Sequence, residues 1–584
     1  MISRYMTTLI AIADQTDLAR DRRSTRHAGR RARVWATVVM VVASALMLFA
    51  HLGTYAPWDD EAITAMTSRA LWRTGDTSIR VDDHNLIAYR NGLLVHGDKD
   101  RFTPPLQFFL LAPVIGLFGD GNWAIRLPFA IYGAITVAIG LRWLWRAVPP
   151  SPLLWWGAAA IVLTNVEFFL FSRTCRYYGL AMMLTAATAY LYCHRTGRTR
   201  GVWGLSIVMA GLLTSQYLDY AAVVGCLVVD YVVWGRHQRR FTLPQWAILI
   251  LPQLVVAAVV CPIWNPIARQ AEAGPDGYPH HWLHDHLWLM FLNVRDLVAS
   301  DFVVLPLVLA APLLWFKRRS PALLRAPAAI AVFITVISFL VATTAQEAQT
   351  AEVRYLAPLL PICLATAIIA LRGTLALRPR PRALLLGVSA LTVMVGPGIG
   401  NANVDGLFGV HLTSDPLAFY WELIHPQAEP YTPTIAWINA HVPAGASVFV
   451  APDYMVYPLM FRAPGPTYAW QLNDPPKADL ADAPPIHIHG RLPPDYLIKF
   501  GNNQAAQAIT RAQTDLAKRG VRYELVATLP YYWHDMYRPE RVWRSFTTVR
   551  AETGWEVYIY RRVAVGSHAA EPVPGPHQAA AKVK

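Results

Sequence analysis

The feature that most constrains this chain is the recurrence of apolar runs long enough to cross a bilayer. They follow one another near residues 34–53, 123–145, 152–171, 177–194, 201–217, 218–235, 244–262, 300–316, 325–343, 354–372 and 383–400. A helix rising 1.5 Å per residue needs roughly 20 residues to cover ~30 Å of hydrocarbon, so these runs predict about eleven spans. Lipid offers no partner to a backbone N–H or C=O, and helices satisfy those groups internally. A soluble fold is excluded, since 54% of the 584 residues are hydrophobic and 15% are charged. The expected class is mainly α: a polytopic helical membrane protein with a large first external loop bearing juxtamembrane helices, and a small C-terminal extracytoplasmic α/β domain.

The net charge of +14 could suggest nucleic acid, but its distribution argues otherwise. Basic residues cluster at Arg20–Arg33, Arg142–Arg146, Arg195–Arg200, Arg236–Arg240, Lys317–Arg325 and Arg372–Arg382, between apolar runs. This is the positive-inside pattern, and such clusters also attract anionic headgroups. Partners are therefore the lipid bilayer and no nucleic acid. The run at 34–53 is too long for a signal-peptide core and reads as a retained anchor, with the N-terminus cytoplasmic. An odd number of spans then exports the C-terminus. The short apolar segment Pro104–Gly119 begins with two prolines and contains Pro113. Counting it as a span would put every later basic cluster on the wrong side, so it is assigned to a juxtamembrane helix.

The expected organisation is a basic tail (1–33), a membrane domain (34–400) whose first external loop is 54–122, a linker (401–430), an α/β domain (431–563) and a disordered tail (564–584). Within the α/β domain, strand signals lie at 447–451, 495–500, 521–529 and 555–560 and a helix at 504–518, with another helix starting near Thr432. The five cysteines stand at no metal-ligand spacing and imply no disulfide framework. Neither a GxGxxG nor a Walker motif is present, and no cofactor is expected.

Directly after the first apolar run comes Trp58-Asp59-Asp60-Glu61. Acids at a helix start have an ordinary role, accepting bonds from free N–H groups and complementing the dipole, so one of Asp59 and Asp60 is expected to cap the amphipathic stretch Ala62–Thr74. The other is then available for chemistry. Arg101, Arg126, Arg173, Arg176 and Arg354 fall at predicted outer ends of spans or in outer loops, against the positive-inside trend. A guanidinium near lipid must be paired or snorkel, and its planar fork can hold two phosphate oxygens at once. Each arginine thus has two open readings, structural pairing or anion binding. Arg176 and Arg354 favour the second, because Tyr177 and Tyr355 stand beside them. His280, His281, His284, Asp285 and His286 allow a metal by spacing, but without a second ligand cluster they read as solvated loop histidines flanked by Trp282 and Trp288, and no metal is expected.

In motif order the sequence resembles the GT-C glycosyltransferases, in particular the protein O-mannosyltransferase and ArnT-like aminoarabinose transferase group. The matching elements are Asp60-Glu61, Pro104-Pro105-Leu106, Leu117-Phe118-Gly119 with Arg126-Leu127-Pro128, Arg176-Tyr177-Tyr178, and Arg354-Tyr355 with Pro358 and Pro361. The resemblance covers residues 34–400. It implies a transferase of the plasma membrane, the inner membrane of a bacterium, that moves a sugar from a polyprenyl-phosphate donor to an extracytoplasmic acceptor. In such an enzyme a carboxylate takes the acceptor proton and cations steady the departing phosphate. Asp60 is the expected base, with Glu61 and Asp59 beside it. Arg176, Arg354, Arg126, Arg101 and Arg173 are candidates for the phosphate, and Tyr177, Tyr355, Pro104, Pro105, Gln216 and Asp219 for the pocket. A transporter is the alternative from another class, although transporters bury their charge at the midplane in paired repeats. A third reading is a non-catalytic, membrane-anchored glycan-binding or scaffold protein whose acids are caps.

Overall fold

A computed structural model describes residues 28–87, 99–101, 103–195, 198–238, 240–265, 282–300, 305–341, 353–395, 415–426, 428–468, 493–501, 507–531 and 555–563. The basic tail through residue 27, residues 401–414 of the expected linker, His280, His281 and the tail 564–584 lie outside them.

A helix stands in every apolar run named above. The first is α1 (Ala28–Phe49). Next come α2 (Asp59–Thr74), α3 (Leu106–Phe118), α4 (Asn122–Ala147), α5 (Pro152–Leu163), α6 (Val166–Ser172), α7 (Tyr178–Cys193), α8 (Thr199–Ser215) and α9 (Tyr217–Asp230), which continues as a π turn at Tyr231–Gly235. The bundle is completed by α10 (Leu243–Val260), α11 (Trp282–Ser300), α12 (Leu305–Arg318), α13 (Ala322–Leu340), a 3-10 turn (Val353–Leu359) running into α14 (Leu360–Leu375), and α15 (Pro379–Val395). By length and composition six of these helices can cross a membrane, or seven with α5 and α6, which meet at a bend of 52°. The expected count of about eleven spans is thus higher than these criteria support. The reason is length: α7 has 16 residues and α8 has 17, fewer than a straight crossing needs.

Two close approaches fix the corner of the bundle that matters most. A Cβ on Gly133 of α4 would lie 2.6 Å from the Ser172 side chain, and one on Gly179 of α7 would lie 3.0 Å from the Phe129 carbonyl. Glycine at both positions lets α4, the end of α6 and the start of α7 touch at backbone distance. The segment Arg173–Tyr177 is held between them.

After the bundle the chain forms α16 (Asp415–Ile424), α17 (Tyr431–His441), β1 (Ser447–Ala451), α18 (Val456–Arg462), β2 (Thr467–Tyr468), β3 (Tyr496–Phe500), α19 (Gln507–Lys518), β4 (Arg522–Tyr531) and β5 (Trp555–Val563). One mixed sheet results, in the order β2-β1-β3-β5-β4. β1 runs parallel to β2 and β3, whereas β5 is antiparallel to both β3 and β4. The segment expected as linker carries α16, where Phe419 is fully buried. The edge strand β2 was not expected, since two residues give no periodicity to read.

The sheet domain is docked on the first loop. Asn85 donates to the carbonyls of Pro464 at 3.3 Å and Pro466 at 2.9 Å, and accepts from the Tyr468 N–H at 3.0 Å. Arg462 donates to the Asp120 carbonyl and to Asn122 Oδ1, each at 2.5 Å. Lower down, Tyr420 donates to the Leu163 carbonyl at 2.8 Å, tying α16 to the bend between α5 and α6.

Candidate active site

Helix α2 begins at Asp59, and its cap differs from the expected one. Trp58 occupies the N-cap, and the return bond comes from Glu61, whose carboxylate accepts the Trp58 N–H at 3.3 Å. Neither Asp59 nor Asp60 is at the capping position. Nor is α2 an interfacial helix with one wet face, because Asp59 to Ser68 are all buried despite their polarity. α3 lies along one side of it and α18 of the sheet domain along another. At its far end Gly75 adopts φ 78° and returns its N–H to the Leu71 carbonyl at 2.9 Å, which stops the helix.

The two neighbouring acids have different partners. Glu61, 1% exposed, meets Arg126 in a two-pronged ion pair, Nε to Oε1 at 2.8 Å and Nη2 to Oε2 at 2.6 Å. It also accepts the Cys175 N–H at 2.7 Å. Arg126 spends its remaining donors on the carbonyls of Leu52 (3.1 Å), Tyr55 (2.8 Å) and Ala56 (3.1 Å). Five hydrogen bonds use all five N–H groups of a guanidinium, so none is left for a ligand phosphate.

Asp60 faces cations from far along the chain. Arg354, on the 3-10 turn, donates to Asp60 Oδ2 at 3.0 Å, and Nε of Arg176 lies 3.5 Å from the same oxygen. Thr64, one helical turn after Asp60, accepts from Arg176 Nη1 at 3.1 Å. Each guanidinium also lies near the ring of the tyrosine that follows it, Arg176 at 5.8 Å from Tyr177 and Arg354 at 5.4 Å from Tyr355. The side chains of Asp60, Arg176 and Arg354 are 12%, 14% and 19% exposed, so the cluster is recessed yet reachable. Segments at residues 60, 176 and 354 thus bring one carboxylate and two guanidiniums to one point.

The other predicted arginines serve the framework. Arg173 donates to the carbonyls of Met47 at 3.0 Å and Ala50 at 2.5 Å, closing the end of the first span. Arg101 is bound to Asp76 and Thr77, each at 2.8 Å, and lies 4.9 Å from the Trp264 ring. Burial would raise the Asp76 carboxyl, but hydrogen bonds from Lys99, Arg101 and the Thr77 N–H outweigh it and hold the group at about 2. Pro104 and Pro105 are buried, and Pro105 starts α3. Gln216 is the extended hinge between α8 and α9, and Asp219, three residues on, is fully buried. Among the described histidines, His284 is exposed beside Asp285, while His286 bonds the Ser338 carbonyl at 2.8 Å. Among the described residues no three His, Cys, Asp or Glu side chains gather as a metal site would require.

Sequence reasoning missed three contributors. Thr64 was findable, since i and i+4 share a helix face. Glu429 and Glu422 were not, because they come from the sheet-domain side. Glu429 accepts the N–H groups of Ala56 at 3.4 Å and Thr432 at 2.8 Å, and Glu422 accepts the Tyr55 hydroxyl at 3.4 Å.

No protein-family model and no curated protein matches the sequence. Among solved structures, ArnT from Cupriavidus metallidurans bound to undecaprenyl phosphate aligns with 89% of this chain and 97% of its own, at TM-score 0.54 and 15% identity. The same protein in its apo state aligns over 90% of this chain and 97% of its own, at TM-score 0.52 and 14% identity. Identity this low speaks to architecture alone: the chain shares the fold of ArnT, and it is itself a multi-pass helical bundle with a small sheet domain docked on its first loop.

Proposed function

We propose that this protein is a membrane glycosyltransferase that moves a sugar from a polyprenyl-phosphate-linked donor to an extracytoplasmic acceptor, a cell-envelope glycan, lipid or protein. The observation that carries the reading is the convergence of Asp60 with Arg176 and Arg354 from three remote segments. The fold shared with ArnT, whose crystal structure holds undecaprenyl phosphate, supports a lipid-linked donor. The site then opens on the extracytoplasmic side of the plasma membrane.

The chemistry follows from charge. The Asp60 carboxylate sits where two guanidiniums would hold an anion. An arriving donor phosphate competes for both forks and binds through charge-assisted hydrogen bonds. Asp60, released from its ion pairs, takes the proton of the acceptor hydroxyl as that oxygen attacks the anomeric carbon. The bond from the anomeric carbon to the phosphate oxygen breaks, and its electron pair leaves on the polyprenyl phosphate, steadied by Arg176 and Arg354. Phosphate departs without an added proton, so no second acid is required. Glu61 sets the position of α2 through Arg126, Asp59 stands next to the base, and Tyr177, Tyr355 and the Pro104-Pro105 turn border the site.

The test is transfer by purified protein in nanodiscs, with polyprenyl-phosphate glucose, mannose and arabinose as donors and envelope extract as acceptor. Asp60→Asn should cost roughly 10²–10⁴ in turnover, the usual share of a general base, while binding of bare polyprenyl phosphate persists. Unchanged turnover removes Asp60 from the mechanism. Solute flux in vesicles with no transfer from any donor favours a transporter instead.

A further inference from the structure

Helix α9 packs on the 3-10 turn that carries Arg354, and around this junction lie buried polar groups to which the scheme above assigns no step. Asp219, in the first turn of α9, is 0% exposed, and neither of its carboxyl oxygens hydrogen-bonds a protein atom. The hydroxyl of Tyr177, 4% exposed, is likewise unpartnered, and its ring lies 5.8 Å from the Arg176 guanidinium. The Tyr178 hydroxyl is also unpartnered, and the two tyrosine rings sit 4.6 Å apart.

Leaving such groups unsatisfied is costly in a protein interior, and those that persist have a reason beyond packing. Two more share the condition at adjoining helix ends. Ser215 closes α8, four residues before Asp219, and Gln107 opens α3, which packs on both α2 and α8. A phosphate finds no cation among Asp219, Tyr177, Ser215 and Gln107, and an acyl chain gains nothing from these groups. A polyhydroxylated ring matches them, because each hydroxyl both donates and accepts.

We infer that Asp219 and Tyr177 recognise the sugar ring of the lipid-linked donor, hydrogen-bonding its hydroxyls while Arg176 and Arg354 hold its phosphate. The inference rests on the transferase reading and adds a division of labour: phosphate on one side, ring hydroxyls on the other. It makes Asp219 a specificity residue whose carboxyl oxygens are satisfied by the sugar.

The experiment measures binding of bare undecaprenyl phosphate and of its glucose, mannose and arabinose conjugates to nanodisc-embedded protein by native mass spectrometry. Wild type should bind one conjugate more tightly than the bare lipid. Asp219→Leu should weaken that conjugate about tenfold, the scale of one buried hydrogen bond, and leave the bare lipid within about twofold. Tyr177→Phe, which removes a hydroxyl alone, should lower affinity in the same direction, and Asp219→Asn, which keeps an acceptor oxygen, should lie closer to wild type than Leu. The melting temperature of Asp219→Leu should equal or exceed that of wild type, since the variant deletes an unsatisfied carboxyl; a structural role predicts a fall. Equal weakening of bare and sugar-bearing lipid, or no change in either, overturns the inference and leaves the transferase reading standing. Asp219→Asn as damaging as Leu overturns it in favour of a bound cation. Failure of wild type to bind any polyprenyl-phosphate species defeats both readings together.

Discussion

Removing the Glu61 carboxylate should unfold the acidic corner of the bundle, whereas removing that of its neighbour Asp60 should not. The difference lies in what each leaves behind. Glu61→Ala strands the Arg126 guanidinium, 7% exposed, against three carbonyls with no counter-charge. It also frees the buried N–H groups of Cys175 and Trp58. Breaking a buried pair by deleting one partner costs about 3–5 kcal/mol, against about 0.2–1 kcal/mol for a pair in water, and the two stranded N–H groups place Glu61 at the upper end. Asp60→Asn leaves arginines whose side chains are 14% and 19% exposed, against 7% for Arg126, so a smaller loss than for Glu61→Ala is expected. Equilibrium unfolding in mixed detergent micelles, on Glu61→Ala, Arg126→Ala and the double variant, supplies the numbers. A coupling energy of about 2–3 kcal/mol between Glu61 and Arg126 is expected. Glu61→Ala within about 1 kcal/mol of wild type refutes the argument, because it would mean that the pair is hydrated or that Arg126 is held by the carbonyls alone.

Two further predictions concern the first loop. The Asp76 carboxyl is held at about 2 against an ordinary 3.8, so it binds protons less readily folded than unfolded. Its contribution to stability is therefore complete above pH 3.8 and is lost as pH falls toward 2; a thermal melt followed across that window should lose this dependence in Asp76→Asn. Arg462→Ala removes the bonds to Asp120 and Asn122 and should loosen the docked sheet domain, seen as faster protease cleavage near α18 with the sheet itself intact.

The helical bundle was legible because apolar length and basic punctuation are one-dimensional signals, and helices formed at every run they marked. Four of the five strands were legible for a similar reason, since they alternate or run apolar over several residues, while β2 offers only Thr467 and Tyr468. What sequence could not carry is occupancy. The adjacent tyrosines favoured Arg176 and Arg354 for the site, but nothing in the sequence showed that these two meet Asp60 while Arg126 and Arg173 close carbonyls. Which is which depends on whether a glycine-permitted crossing, such as those at Gly133 and Gly179, brings a helix end within reach. The covering of α2 was hidden for another reason: its polar sequence predicts a wet face, and one of the two helices that bury it, α18, comes from beyond residue 400.

That distance has a bearing on biogenesis. Asn85 in the first loop and Pro466 beside the sheet are 381 residues apart in the chain and bonded in space. During synthesis the acidic helix emerges early and waits, its buried acids without their final cover, until nearly the whole chain has been made. Long-range closures of this kind form late and slowly. A prematurely terminated chain would insert most of its helices yet leave Asp60 under an unfinished roof, so that the acidic helix is completed only when the sheet domain has been made.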